Sequence, residues 1–286
     1  MSMQNAAFSG DDDSLLIGGG GMRLFCRWRH PSGPPRAVIV LVHGLCEHSG
    51  RYEEFARFFQ ERGYAFFAFD LRGHGHSGGR RGHARRLALM LSDLEQALMH
   101  VRSTYTDAAM VLYGHSLGGL LVAAHLVGDR SREIRVAVIS SPWIGLAHTP
   151  PPLLVRMSAG LEKILPGVQV DSRIDPRELS RDTSVGEAYR ADPLVHNRIS
   201  ARLFNEILRA IETVRSGAHN IAVPLLIMHG EADRITDPEA SRRFAAAVGQ
   251  NAVFRSWPDC RHELHHEIVR DEVLEYVSGW LSGILK

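Results

Sequence analysis

Residues 37–42, 64–69, 110–113 and 136–139 are short, uninterrupted apolar runs, the pattern of strands covered on both faces. Stretches with helical spacing separate them. Residues 52–62 place Phe55, Phe58 and Phe59 on one face. Over residues 84–101, Leu87, Leu91, Leu94, Leu98 and Val101 recur at spacings of four and three. Residues 117–127 form a largely apolar helix. Later the pattern resumes with strand 225–228, helix 239–248, strand 252–257 and a helix over 263–285. Strands alternating with helices predict an α/β architecture, a mostly parallel central sheet with helices on both faces.

Residues 142–220 break the alternation. Three prolines at 150–152 precede a helix-like stretch with Leu154, Met157, Leu161 and Ile164 on one face. A second such stretch aligns Ile199, Leu203, Ile207, Ile211 and Val214, and a polar, strandless segment lies between them. The expected division is a core of residues 1–141 and 221–286, with 142–220 as an insertion. Residues 1–21 read as a loose polar start ending in a turn at Gly18 to Gly21, followed by a short strand over 22–29.

Composition excludes several function classes. The 286 residues suffice for a sizeable core. Lys plus Arg is 33 and Asp plus Glu is 32, a net charge of +1. That lacks the basic excess needed to grip a nucleic-acid backbone. No apolar run approaches the roughly 18 residues of a membrane-spanning helix. Asp11, Asp12 and Asp13 stand where a secretory signal would carry Lys or Arg. Three cysteines (Cys26, Cys46 and Cys260) are too few, and odd in number, for a disulfide framework. A soluble, cytoplasmic protein is expected.

Gly114-His115-Ser116-Leu117-Gly118 fits Gly-x-Ser-x-Gly and follows a buried strand directly before an apolar helix. That is the setting of a nucleophile elbow. Bulky flanking side chains would collide in so tight a turn, and the helix N-terminus supplies N–H groups and a positive dipole end. A serine hydroxyl needs a base, and the base needs an orienting acid. Open α/β sheets gather such groups at the carboxyl ends of strands. Strand 225–228 runs into Asp233 and strand 252–257 into His262, giving the order Ser116, Asp233, His262. Glu231 and Asp237 are rivals for the acid. An oxyanion needs two backbone donors. The candidates are the N–H groups of Leu117 and of Leu45, in the 43–52 loop after the first buried strand, with His43 expected to brace that loop.

Two further motifs read as structural. Residues 70–77 carry two glycines but no Lys-Ser/Thr of a phosphate loop, and read as a turn near the site. His262-Glu263-Leu264-His265-His266 fits the zinc-binding His-Glu-x-x-His helix. Its usual continuation would put Gly and His where Val269 and Glu272 stand, and only 20 residues follow His266. No metal is therefore expected, and His265 and His266 are expected to be solvated or loop-bracing.

These motifs resemble the α/β-hydrolase superfamily along most of the chain, and within it the monoacylglycerol lipase group. The resemblance rests on His43-Gly44 with Glu47-His48-Ser49-Gly50-Arg51-Tyr52, on Gly73-His74-Gly75 with Ser77, and on the Ser116 elbow with Gly119. It rests also on Tyr189-Arg190-Ala191-Asp192-Pro193-Leu194, His229-Gly230 with Asp233, and His262 with Leu264-His265 and Glu267. It implies the α/β-hydrolase fold with the 142–220 insertion as a helical cap over the site. It implies Ser116 as nucleophile, His262 as base and Asp233 as its partner. It also implies that Glu47, Arg51, His115 and Tyr189 line a polar pocket for a glycerol head, residue types that suit a polyol. One departure is Leu45-Cys46, bulkier than the small residues common there. It leaves the acyl length open and would set a thiol near the site, exposed to reagents where accessible.

The resulting expectation is a serine ester hydrolase that cleaves monoacylglycerols to fatty acid and glycerol through an acyl-enzyme. Lysophospholipase or general carboxylesterase activity are alternatives, and a non-catalytic hydrolase-fold binder is a remote one. No metal or organic cofactor is expected. The partner is a small lipid ester, with no nucleic acid and no protein partner. Transient membrane contact through the apolar first helix of the cap would make the location peripheral at times.

Overall fold

The structure, a computed structural model, describes residues 11–128, 133–148 and 151–285. Its strands are β1 (Asp11–Ile17), β2 (Arg23–Arg29), β3 (Val38–Val42), β4 (Ala65–Phe69), β5 (Met110–His115), β6 (Ile134–Ser140), β7 (Gln169–Asp171), β8 (Arg198–Ser200), β9 (Leu225–Gly230) and β10 (Ala252–Trp257). Its helices are α1 (Glu53–Glu61), α2 (Leu87–Thr104), α3 (Leu117–Val127), α4 (Pro152–Ile164), α5 (Thr183–Ala191), α6 (Ala201–Ser216), α7 (Pro238–Val248) and α8 (Arg270–Ile284).

Eight strands form one sheet in the order β1-β2-β4-β3-β5-β6-β9-β10. The β1–β2 and β2–β4 pairs are antiparallel, and the remaining pairs are parallel. Both faces are covered, which explains the uninterrupted apolar runs. Val38, Val40 and Val42 belong to the core shared with α2, α3 and α6, while Ile39 and Leu41 belong to the core shared with α1 and α8. Each such side chain contributes about 1.5–3 kcal/mol on burial. After β3 the chain builds β4 on one side and then returns to place β5 on the other. The carboxyl ends of β3 and β5 thus flank a topological switch point, where open α/β sheets form their crevice.

β6 and β9 are neighbours in the sheet, and the whole 142–220 stretch runs between them. Ser200 caps α6 through its hydroxyl, which accepts from the Leu203 N–H. Leu203, Ile207, Ile211 and Val214 of α6 are buried in the main core. The apolar face of α4 is turned outward instead: Met157 is 60% and Ile164 78% exposed.

The structure corrects four expectations. Residues 11–17 are a strand, not loose chain, and Asp13 pairs with Arg27 across the hairpin. The polar segment of the insertion is not strandless, because β7 and β8 form a two-stranded antiparallel ribbon. It also holds a helix, α5, whose mostly polar sequence gave no apolar stripe. The last helix starts at Arg270, and Leu264–His266 is only a single 3-10 turn.

Candidate active site

Ser116 occupies the turn between β5 and α3 with φ 53° and ψ −116°. A non-glycine residue there stores strain of order 1–3 kcal/mol. Its neighbours fix the conformation. The Ser116 N–H donates to Ser140 O at 3.0 Å, and its carbonyl accepts from Leu120 N at 3.1 Å and Trp143 N at 2.9 Å. A Cβ at Gly118 would lie 2.0 Å from Val42 O, so only glycine lets α3 start this close to β3.

Asp233 follows β9 and His262 follows β10. His262 Nδ1 lies 2.7 Å from Asp233 Oδ2 with both side chains buried. The Asp233 carboxylate accepts widely: Ile235 N at 2.7 Å and Thr236 N at 3.0 Å on Oδ1, Thr236 Oγ1 at 2.8 Å and His229 Nε2 at 3.0 Å on Oδ2. His229 is held in turn by Ser241 Oγ at 2.8 Å from its Nδ1. Burial alone would raise the Asp233 pKa. The charge of His262 and the hydrogen bonds of His229 and His262 outweigh it and hold the carboxyl well below the usual range. For His262 burial pulls downward, and the Asp233 charge and hydrogen bond outweigh it, so its pKa lies above 6.5. The rivals lie elsewhere. Asp237 caps α7 by accepting from Glu239 N, and Glu231 is exposed.

Ser116 and His262 share a small cavity with Leu45, Glu47, His115 and Tyr189. The volume is about 10 Å³, room for roughly one water molecule. Leu45, on the β3 loop, lines the cavity, and Leu117, the first residue of α3, directly follows Ser116. Among the described residues neither amide donates to a backbone carbonyl in the loops or caps. His43 braces the loop, its Nε2 accepting from Leu71 N at 2.9 Å and its Nδ1 donating to Gly44 O at 2.8 Å. Asp70 ties the 70–77 turn to the same loop by accepting from Ser49 N and Ser49 Oγ.

The expected polar pocket is brought together with a different internal order. Glu47 accepts from Gly44 N at 2.6 Å, Tyr52 Oη at 2.8 Å and Arg51 Nη1 at 2.9 Å. Arg51 is behind the cavity wall, held bidentately by Glu263 at 2.6 and 2.7 Å, with its guanidinium 4.8 Å from the Tyr189 ring centre. His266 Nδ1 lies 2.7 Å from Glu263 Oε2, and its Nε2 2.9 Å from Arg51 O. Burial would raise the Glu263 pKa, but the Arg51 charge and the His266 hydrogen bond keep it well below the carboxylate range. Burial and the neighbouring His262 push His115 down to about 4, so it is neutral near pH 7. The His115 Nδ1 and the Tyr189 hydroxyl are buried without a hydrogen-bond partner among the described residues.

Sequence reasoning missed Glu263, Thr236 and the bracing role of His229. The spacing of His229 and Asp233 was visible, but not that His229 turns back onto the carboxylate. Cys46 does not meet the condition of accessibility: it is fully buried, and burial pushes its thiol up to about 12, so it offers no thiolate to reagents. His265 is buried too, not solvated, stacked on Tyr52 at 4.5 Å. One metal-type cluster exists among the described residues: ligand atoms of Glu263, His265 and His266 lie within 4.8 Å of one another. Both Glu263 oxygens are already bound by Arg51, whose charge opposes a cation. No helix among the described residues is long and apolar enough to cross a membrane.

Residues 33–268 match the serine aminopeptidase S33 family of hydrolases. The monoacylglycerol lipase of Mycolicibacterium smegmatis is 33% identical over 273 residues, covering 94% of this chain and 96% of that protein. An uncharacterized abhydrolase domain-containing protein of Dictyostelium discoideum is 33% identical over 254 residues; these are 88% of this chain but only 27% of that longer protein. The crystal structure of the Paleococcus ferrophilus monoacylglycerol lipase superposes with a TM-score of 0.84 at 32% identity, covering 91% of this chain and 98% of the other. With its mostly parallel eight-stranded sheet and the Ser116 turn at the end of β5, the chain belongs to the serine aminopeptidase S33 family of α/β-hydrolases, in the group that resembles monoacylglycerol lipases.

Proposed function

We propose that the protein is a serine hydrolase that cleaves monoacylglycerols to fatty acid and glycerol. The observation that carries this reading is the buried Asp233–His262 pair, 2.7 Å apart, whose His262 lines the same cavity as Ser116. Ser116 Oγ attacks the ester carbonyl as His262 takes its proton, and Asp233 stabilises the imidazolium that forms. The amides of Leu45 and Leu117 receive the developing oxyanion. His262 then protonates the leaving glycerol, and water clears the acyl-enzyme by the same route.

The residue set of the pocket supports a polyol head. Glu47 offers carboxylate oxygens, and the His115 Nδ1 and Tyr189 hydroxyl, without a partner among the described residues, offer two more polar contacts. Residues 142–220 act as a cap, and a cavity of about 10 Å³ is too small for an ester, so the cap shifts to admit one. The outward apolar residues of α4, Leu153, Met157 and Ile164, suit transient contact with a lipid surface.

The test is a panel of monoacylglycerols, triacylglycerols, lysophospholipids and p-nitrophenyl esters of matched acyl chains. Monoacylglycerols are expected to be cut fastest among the lipids. Ser116→Ala is expected to remove activity by a factor of order 10⁶ while circular dichroism stays unchanged. Faster turnover of triacylglycerols or lysophospholipids, or more than a tenth of the activity left in Ser116→Ala, overturns the reading.

A further inference from the structure

Two carboxylates, Glu47 and Glu263, face the cavity beside Ser116, and among the described residues no arginine or lysine lines it. Arg51, the cation nearest to them, lies behind the wall. Its Nη1 is shared between Glu47 and Glu263, and its Nη2 is bound by Glu263. A guanidinium engaged bidentately by one carboxylate has that fork filled, which leaves fewer N–H donors for a phosphate. Both carboxylates are buried, 2% exposed each, and each stays ionised because the Arg51 charge outweighs burial. Buried charges interact over a low effective dielectric, so a phosphate brought against this wall meets repulsion that solvent screens poorly.

We propose that Glu263 is a specificity-determining residue that selects uncharged head groups and rejects phosphate-bearing ones. It does so twice over: it adds a second negative charge to the wall, and it occupies one donor fork of Arg51. A glycerol head carries hydroxyl donors that an ionised carboxylate accepts. A glycerol phosphate head carries only additional acceptors and charge of the wrong sign. The inference rests on the reading that this cavity takes the alcohol side of an ester. It goes further by assigning the exclusion to a residue 212 positions from Arg51 in sequence.

The inference is tested by binding, separately from turnover. Uncleavable 1-O-alkylglycerol and 1-O-alkylglycerol 3-phosphate of one chain length are compared for protection of Ser116 against a fluorophosphonate probe. In the unaltered protein the neutral ether is expected to protect at a concentration at least tenfold lower than the phosphate. Glu263→Gln removes the charge, keeps the shape and frees part of the Arg51 fork. It is expected to shrink that gap by tenfold or more, mainly through tighter binding of the phosphate. Equal protection by the two ethers in the unaltered protein overturns the inference, whether or not the variant folds. So does a gap that stays the same in a folded Glu263→Gln. Glu263→Asp, which keeps the charge, is expected to keep the gap. Failure of the functional reading shows differently, as absent hydrolysis of monoacylglycerols by a protein whose Ser116 still labels.

Discussion

Replacing Asp233 by Asn tests the proposed triad at its most constrained atom. Asp233 Oδ1 accepts two backbone N–H groups, from Ile235 and Thr236. The single oxygen of asparagine therefore stays on that side, because turning it leaves two buried amides facing an NH₂ group. The new NH₂ then points where Oδ2 was, towards His262 Nδ1, Thr236 Oγ1 and His229 Nε2. Facing a donor, His262 Nδ1 must accept. Its proton moves to Nε2, the nitrogen that should take the proton of Ser116. A wrong tautomer with intact geometry costs about 10⁴ in kcat, or about 5.4 kcal/mol at ~1.36 kcal/mol per tenfold.

The same change has a second signature in pH. His262 must be neutral to act as base, so kcat/KM climbs as pH rises through its pKa. Asp233 raises that pKa above 6.5, so the limb of the unaltered enzyme lies above pH 6.5. Asp233→Asn removes the charge and moves the limb of the residual activity to lower pH. The assay is p-nitrophenyl butyrate hydrolysis from pH 5 to 9, with burst kinetics to exclude contaminating enzyme. More than a tenth of kcat left in Asp233→Asn, or a limb that does not move, would refute the reasoning. Glu231→Gln and Asp237→Asn serve as controls and should keep most activity; Asp237→Asn alters the cap of α7 and its ion pair with Arg243, at a cost of at most about 2 kcal/mol in stability.

Cys46 should be unmodified by N-ethylmaleimide in the folded enzyme, with activity retained, because it is fully buried and held as the thiol; mass spectrometry checks this. Ser241→Ala removes the partner of His229 Nδ1 and should lower kcat by a few-fold with KM little changed, since it acts only on the orientation of Asp233. Incubation with EDTA should leave turnover unchanged, measured on the same ester.

The central strands were legible because both of their faces are covered: Val38 to Val42 and Met110 to His115 are buried at every position. β1 was not, because it is an edge strand whose first four residues are polar and whose Asp13 is matched by Arg27 on its partner. β7 and β8 are three residues each, too short for any alternation to register. α5 has the capping signal at Asp182 but no stripe of large apolar residues. At the site, Ser116, Asp233 and His262 each lie just beyond a strand's carboxyl end, a rule that needs only chain order. Glu263 escaped because its partner Arg51 comes from the loop after β3, and no local spacing signals a pair 212 residues apart.

The five residues His262 to His266 show how local backbone settles which of two motifs a sequence holds. Zinc binding by His-Glu-x-x-His needs an α-helix, because only there do positions i and i+4 share a face with the glutamate beside them. Here Glu263 has φ −95° and ψ 78°, outside the helical region, and the turn that follows is 3-10 for three residues. The two outer histidines are thereby sent apart. His262 takes Asp233, and His266 takes Glu263 and the Arg51 carbonyl. Glu263, the would-be base of a metal-bound water, is saturated by a guanidinium instead. What blocks the helix is tertiary: Glu263 N–H donates to Leu179 O at 2.7 Å, in the insertion, and Glu267 accepts from Arg261 N at 2.7 Å and Arg181 Nε at 3.0 Å. The same contacts that bring the 142–220 segment against this loop also aim His262 at Asp233. Weakening them should therefore disturb catalysis before it disturbs the fold: Glu267→Gln is expected to lower kcat several-fold at a melting temperature shifted by only a few degrees. Loss of the melting transition with the kcat of the remaining folded protein unchanged would show that Glu267 supports the fold alone.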